Sequence, residues 1–326
     1  MTITLKTSDS LANAIASFNS PSQEEFHIIL EDGEHQGLSH QRIFYNLANP
    51  LVIESKSGNP KNCALRSENC EADHKDTENR AVITFGPDCT KVTLKNFTIE
   101  NTHIKTSDDA SLGNQAEAIC FHNQKGSLYC ENMSFISRQD TIHVKGFSYF
   151  KNCYVTGDVD FIWGYCHTSL FQDCILHTRE DNRGSDRPAY VLQSRALNSK
   201  PGFVFINCKF TAEDRGKSDG IFIGRSQGTG RADSIDRWDS IALIDCQVSE
   251  GYHSALWTDE NGVRAVYPEK GCMLNGWRQY GTKILKNDGS LIDYDSSLQE
   301  KHGYTMTKEE ASQLTSLVKE SLSSSL

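Results

Sequence analysis

One short pattern recurs along the chain. An apolar or aromatic residue is followed by a spacer, then Asn or Asp, then Cys or another apolar residue, then alternating residues. It reads LKNFTIEN at 94–101, YCENMSFIS at 129–137, YFKNCYVTG at 149–157, LFQDCILHT at 170–178, VFINCKFTA at 204–212 and ALIDCQVSE at 242–250. The central polar residues are Asn96, Asn132, Asn152, Asp173, Asn207 and Asp245, spaced by 36, 20, 21, 34 and 38 residues. Spacings near 20 match one coil of a β-solenoid, and the longer ones fit a coil plus a loop or two coils. Each unit alternates with period 2, which predicts strand rather than helix. An antiparallel sandwich also has short strands and turns, but neighbouring units at 20 and 21 residues favour the solenoid. The residues that follow the Asn or Asp are Phe97, Met133, Cys153, Cys174, Cys208 and Cys246. Stacked at equivalent places, they form apolar ladders, which puts four cysteines in the core. The Asn/Asp column is expected to satisfy backbone groups at turns.

The ends break this pattern, as the caps of repeat proteins do. Residues 9–18 read as a short amphipathic helix with Ser8 or Asp9 as N-cap. Thr307 and Glu310 make a capping-box pattern ahead of a second amphipathic helix, with the SSS run at 323–325 frayed. Segments 179–200, 213–235 and 251–280, rich in Gly, Ser, Arg and Asp, are expected to be loops that display function on a rigid scaffold. The expected fold is therefore all-β, a solenoid with short capping helices at both ends, read as a single domain over 1–326.

Composition narrows the function classes. The chain has 326 residues, enough for a large core without disulfides. With 33 basic and 43 acidic residues its net charge is −10, so it lacks the electrostatic footprint of a nucleic-acid binder. No apolar stretch is long enough for a membrane-spanning helix. Neither nucleic acid nor membrane is expected as a partner, and the chain is read as a monomer. The 11 cysteines include no CxxC pair, so a zinc site is not expected, and they read as mostly free buried thiols in a reducing compartment. The N-terminal stretch MTITLKTSDSLANAIASF lacks a basic start followed by an apolar run. A cytoplasmic location is therefore expected, unless an export signal was removed.

Two segments carry the sharpest chemistry: SRQDTIHV at 137–144 and GDVDFIWG at 157–164. Asp140 lies eight residues after Asn132, and Asp160 eight after Asn152. The two carboxylates thus occupy the same place on successive coils, about 4.8 Å apart. Two acids so close do not both ionise freely, and one residue type then supplies both an acid and a nucleophile or base. Phe161 and Trp163 are aromatic neighbours suited either to sugar faces or to core packing. Gln139 and Gln115 are neutral amides able to donate to a developing oxyanion. Arg225, in FIGRSQ, is a candidate partner that keeps one carboxylate charged. Asp158 is read as a turn or surface residue, or else as an electrostatic modifier of Asp160. His143, at i+3 from Asp140, is expected on the opposite face of its strand in a structural role.

At these residues the chain resembles the pectin methylesterase family. The strings that carry the resemblance are QAEA at 115–118, RQDT at 138–141, GDVDFIWG at 157–164, VLQSRA at 191–196, GRSQ at 224–227 and TKEEA at 307–311. The resemblance implies a right-handed parallel β-helix that hydrolyses methyl esters of galacturonate residues in pectin or its oligomers, without metal or organic cofactor. By motif, it makes Asp160 the nucleophile and Asp140 the acid and then base. It makes Gln115 and Gln139 the oxyanion donors, Arg225 the partner of Asp160, and Trp163 an aromatic of the substrate groove. Where the family string reads GRPW, this chain has Ser226 and Gln227 in place of the proline and tryptophan. An aromatic platform is missing there, and Trp238, Trp257 or Tyr252 are candidates to replace it. Without an export signal, short oligomers are the expected substrate rather than wall polymer. A polyuronate lyase, a glycoside hydrolase using the same two acids, and an inactive carbohydrate-binding solenoid are the competing readings. The glutamines and arginine beside the acids favour ester chemistry over the lyase and the inactive solenoid, and the motif match favours it over the glycoside hydrolase, whose retaining geometry the carboxylate gap would fit.

Overall fold

The computed structural model describes residues 1–18, 24–35, 43–45, 47–105, 113–182, 188–213, 220–226, 238–259 and 273–325. Its strands form one sheet of 17 strands and a second of 10, and nearly every pairing is parallel. The exception is the hairpin of Lys283–Leu285 with Leu291–Asp293. The chain winds as a parallel β-helix, and one coil shows how. Ile142–Lys151 runs along the large sheet with a register shift between Gly146 and Phe147, Asn152 turns the corner, and Tyr154–Gly157 lies in the second sheet. The next coil repeats this with Val159–Gln172, Asp173 and Ile175–Thr178.

The Asn/Asp column marks the corners because each corner needs a left-handed residue. Asn96, Asn132, Asn152, Asp173, Asn207 and Asp245 all have positive φ, between 52° and 65°. Asn and Asp tolerate that region better than other residues with a Cβ. Neighbouring rungs are stitched through the side chains: Asn132 Nδ2 donates to Asn96 Oδ1 at 2.8 Å, and Asn207 Nδ2 to Asp173 Oδ1 at 2.5 Å. Gly281 extends the column with φ 65°, and a Cβ there would lie 2.2 Å from Asp245 Oδ1. The repeat in the sequence does not reveal this corner, because a glycine replaces the Asn or Asp.

Phe97, Met133, Cys153, Cys174, Cys208 and Cys246 are all buried inside the coil. The ten described cysteines are free and buried, and Cys272 lies outside the described residues. Beside the cysteines, Phe150, Phe171 and Phe205 stack with centroids 4.4 and 4.9 Å apart. The first helix is Leu11–Ser17, capped by Ser10 rather than Ser8 or Asp9; its Leu11 and Ile15 close the N-terminal end of the core. The last helix, Lys308–Ser323, starts with the Thr307–Glu310 capping box. It lays Ala311, Leu314, Val318 and Leu322 on Leu170, Val204, Ala242 and Ile244, on the outside of the large sheet.

The segments expected as loops contain further strands of the large sheet. Ala189–Ser194, Ile221–Arg225 and Trp257–Thr258 pair in succession after Val159–Gln172. Their mixed composition hid them, since only one side of each strand faces the core. The rungs from Ile119–Phe121 to Ile221–Arg225 thereby form one outer face, which carries the candidate site.

Candidate active site

Three rungs bring the acids and amides together. Ala116 N–H donates to Gln139 O at 3.1 Å, and Asp140 N–H donates to Val159 O at 3.2 Å. Gln139 bridges Val159 in parallel, and Ile142 pairs with Ile162, so Asp140 and Asp160 stand at equivalent places on adjacent rungs. Both are left-handed, with φ of 65° and 47°. That conformation is uncommon for a residue with a Cβ and clusters at functional sites. It also resets the alternation of the strand. Ile142 and Val144 point into the core, so His143 faces outward. The expectation from strict period 2, that His143 lies opposite Asp140, fails for this reason. Gly157 permits the turn into this segment: a Cβ there would lie 2.2 Å from Phe161 Cβ and 2.7 Å from Arg138 O.

Asp160 is 5% exposed, and its carboxylate is held by three donor groups. Arg225 Nε donates to Oδ1 at 2.9 Å and to Oδ2 at 3.2 Å, and Arg225 Nη2 closes on Oδ2. Gln193 Nε2 donates to Oδ2 at 3.2 Å. Arg225 is stacked on the Tyr190 ring, its guanidinium carbon 4.5 Å from the centroid. Arg195 in turn fixes Gln193, donating to its Oε1 from Nε and Nη2 at 3.1 and 2.8 Å.

Asp140 is bound differently. Arg80 Nη2 donates to its Oδ2 at 3.1 Å, but the same guanidinium is clamped by Glu117, at 2.7 and 2.8 Å. Glu71 adds a further contact to Arg80 at 3.5 Å. Glu117 is fully buried, so Arg80 is largely neutralised before it reaches Asp140. Burial first, then the Glu117 charge, push the Asp140 carboxyl well above the usual range; Arg80 opposes this and Asp160 adds to it. The two aspartates thus stand in different settings, Asp160 directly against the Arg225 guanidinium and Asp140 buried beside Glu117 with its carboxyl pushed up.

Gln115 and Gln139 are both partly exposed, and neither side-chain amide has a hydrogen-bond partner among the described residues. Their donors are uncommitted beside the acids. Asp158, by contrast, is buried and pairs with buried Lys105, which corrects its reading as a turn or surface residue. Phe161 is fully buried in the core and contacts no groove, so its assignment to substrate is corrected. Trp163 is 6% exposed; His143 stacks on one face at 3.9 Å and Arg195 covers the other at 4.7 Å. Only its edge is left for a sugar. Trp238 packs against the core, its backbone bridged to Ala196, and Gln227 lies outside the described residues. Trp257 and Tyr252 are buried and do not replace the missing platform.

Residues the motifs did not single out complete the site: Arg80, Glu117, Gln193, Arg195 and Lys105. Glu117 sits inside QAEA, and Gln193 and Arg195 inside VLQSRA. A charged residue in the variable place of QAEA was the available signal. Arg80 had none, because its partners lie 37 and 60 residues away. Among the described residues, one group could gather a metal ion, Asp259, Glu300 and His302. At the aspartates the carboxylate oxygens already accept from guanidinium groups, so a cation would have to displace an arginine.

A pectinesterase family model matches residues 6–227. Pectinesterase 31 of Arabidopsis thaliana is 32% identical over 147 residues, 44% of this chain and 43% of that protein. A pectinesterase of Ralstonia solanacearum is 29% identical over 144 residues, 42% of this chain and 35% of that protein. The match thus spans less than half the length of these relatives. Pectin methylesterase PemA from Erwinia chrysanthemi superposes with a TM-score of 0.69 and 18% identity, over 95% of this chain and 94% of that one. A pectin methylesterase in complex with a hexasaccharide gives 0.67 and 18%, over 93% and 90%. These neighbours are right-handed parallel β-helices, and the present fold is of that kind. The pectinesterase relatives are secreted or extracellular enzymes acting on cell-wall pectin, which overturns the expected cytoplasmic location. Burial in the coil accounts for the free thiols without appeal to a reducing compartment. With most of its length inside the matched model and both aspartates, both glutamines and the arginine of the family's motifs in place, the chain belongs to the pectinesterase family.

Proposed function

We propose that this protein hydrolyses methyl esters of galacturonate residues in pectin or its oligomers and releases methanol. The observation that carries the reading is the pair of neighbouring aspartates in opposite settings, Asp160 clamped by Arg225 and Asp140 buried with its carboxyl pushed up. An Asp160 oxygen attacks the ester carbonyl, and the carbonyl oxygen takes the charge, facing the free amides of Gln115 and Gln139. Collapse breaks the bond to the methoxy oxygen, which takes the Asp140 proton and leaves as methanol. The product on the enzyme is an anhydride of Asp160. Asp140, now a carboxylate, removes a proton from water as that water attacks the anhydride. Cleavage returns Asp160 as carboxylate and Asp140 as acid, and frees a galacturonate carboxyl group.

The test follows methanol from highly methylated oligogalacturonides beside the absorbance of unsaturated uronates, in chelator, for wild type and Asp160→Asn. Methanol that depends on Asp160, without new absorbance, supports the reading. Absorbance without methanol identifies a lyase, and silence in both across chain lengths leaves a binding solenoid.

A further inference from the structure

The rung beyond Arg225 ends in a group of donors that the proposed chemistry does not use. Thr258 is the register partner of Arg225, and its carbonyl accepts from the Ser226 N–H at 3.0 Å. The next residue is Asp259. A donor atom of its side chain and one each of Glu300 and His302 all lie within 4.8 Å of one another. All three residues are half-buried. An open cleft of about 360 Å³ borders Glu300, beside Lys301, Tyr304 and Thr305, and gives an ion a way in.

The loop that carries Glu300 and His302 is fixed before any ion arrives. Glu300 N–H donates to Ala255 O at 3.2 Å, and the Tyr294 hydroxyl donates to Ser254 O at 2.7 Å. Gly303 N–H donates to Glu300 O at 2.7 Å. Glu300 Oε2 accepts the His302 N–H at 2.6 Å, and among the described residues no hydrogen bond engages Oε1. Burial pushes the Glu300 carboxyl above its ordinary value and the Asp259 charge adds to this, against the pull of the His302 N–H. A cation between the two acids relieves their repulsion. The imidazole separates this group from a patch of surface acids. One imidazole nitrogen with two carboxylate oxygens suits zinc and its neighbours in the first transition row, whereas calcium takes about six to eight oxygens. Donors about 2.1 Å from one zinc ion stand about 3.4 Å apart in a tetrahedron, so shifts of about 1 Å close the group on an ion.

We propose that Asp259, Glu300 and His302 bind one divalent cation of the zinc class, with water in the remaining position. The ion joins the end of the rung paired with Arg225 to the loop that follows the hairpin of Lys283–Leu285 with Leu291–Asp293. Its role is to hold the C-terminal end of the coil, and it takes no part in ester cleavage. The ligands are 41 and 2 residues apart along the chain, a spacing without a metal signature, and they meet only once the coils have stacked. The site stands whether or not the esterase reading holds.

The experiment is calorimetric titration of Zn²⁺ into chelator-treated wild type, Asp259→Asn and His302→Gln, repeated with Ca²⁺. The expected result is one equivalent of Zn²⁺ bound by wild type, and binding at least about tenfold weaker in each variant. Excess Zn²⁺ should raise the melting temperature of wild type by a few degrees, and that of both variants less. Thermal unfolding in chelator shows that the variants are folded. No binding by wild type, binding unchanged in either folded variant, or Ca²⁺ bound as tightly as Zn²⁺ overturns the site.

Discussion

Glu117→Gln separates the charge of Glu117 from its shape. In the wild type one Arg80 nitrogen, Nη2, touches Glu117 Oε1 at 2.8 Å and Asp140 Oδ2 at 3.1 Å. The two carboxylate oxygens are therefore at most about 6 Å apart. At an effective dielectric constant of about 20, two unit charges at that distance repel by roughly 3 kcal/mol. Removing the Glu117 charge removes that repulsion, and it also unmasks the Arg80 charge that Glu117 now neutralises. Both changes favour ionised Asp140. At a fixed pH on the alkaline side of the activity profile, the fraction of Asp140 holding its proton should fall by about 100-fold. Methanol release by Glu117→Gln should then be lost at a lower pH than in wild type, while rates on the acid side change less. The assay is kcat/KM against pH for both proteins, with thermal unfolding to show that the variant is folded. Some loss of stability is expected, because breaking a buried ion pair typically costs about 3–5 kcal/mol, here lessened by the remaining Asp140 and Glu71 contacts to Arg80. An alkaline limb that stays in place in a folded Glu117→Gln would refute the view that this glutamate keeps Asp140 protonated.

Other expectations follow from the same geometry. Asp160→Asn should abolish methanol release with little change in far-ultraviolet circular dichroism, and Asp140→Asn should lower kcat by roughly 10²–10⁴-fold; near wild-type rates in either folded variant would remove the assigned roles. Because burial raises the folded Asp140 carboxyl above its unfolded value, its contribution to stability is present below the unfolded pKa of about 3.9 and is lost as pH rises through the folded one. Thermal unfolding of Asp140→Asn against wild type should therefore show a difference that shifts in favour of the variant with rising pH. Phe171→Ala empties the middle of the Phe150–Phe171–Phe205 stack and should cost about 3–5 kcal/mol in denaturant unfolding. Gly157→Ala should lower both melting temperature and kcat, since its methyl group falls on Phe161 and the Arg138 carbonyl in the segment that leads to Asp160.

The coil was legible because its corners repeat a residue type for a backbone reason. A left-handed corner selects Asn or Asp, and six of them can be aligned by eye. Where the corner residue is Gly281 the same geometry leaves no such signal. The strands Ala189–Ser194 and Ile221–Arg225 were read as loop because they carry the site on one side, and functional side chains dilute the period-2 pattern. The aspartate pair, the two glutamines and Arg225 were legible as motifs. The faces they present were not. Positive φ at Asp140 and Asp160 shifts the alternation by one step, which turns His143 outward and puts Ile162 in the core beside Phe161. Nor does spacing along a chain reveal that Arg80 joins Glu117 to Asp140, since these contacts exist only after the coils have stacked.

In the proposed mechanism, that stacking is also what lets one residue type perform two tasks. Strands in register place Asp140 and Asp160 alike, so the rungs themselves cannot distinguish them. The distinction comes from opposite sides of the outer face. Asp160 receives Arg225 from the later coils, a guanidinium that closes directly on its carboxylate. Asp140 receives Arg80 from the earlier coils, a guanidinium already clamped by a fully buried glutamate. Each aspartate touches an arginine, yet the fields they feel differ because Glu117 stands behind only one of them. Exchanging Glu117 for Gln should thus make the two settings more alike, and the loss of division of labour between the acids is the effect that the pH profile of that variant reads.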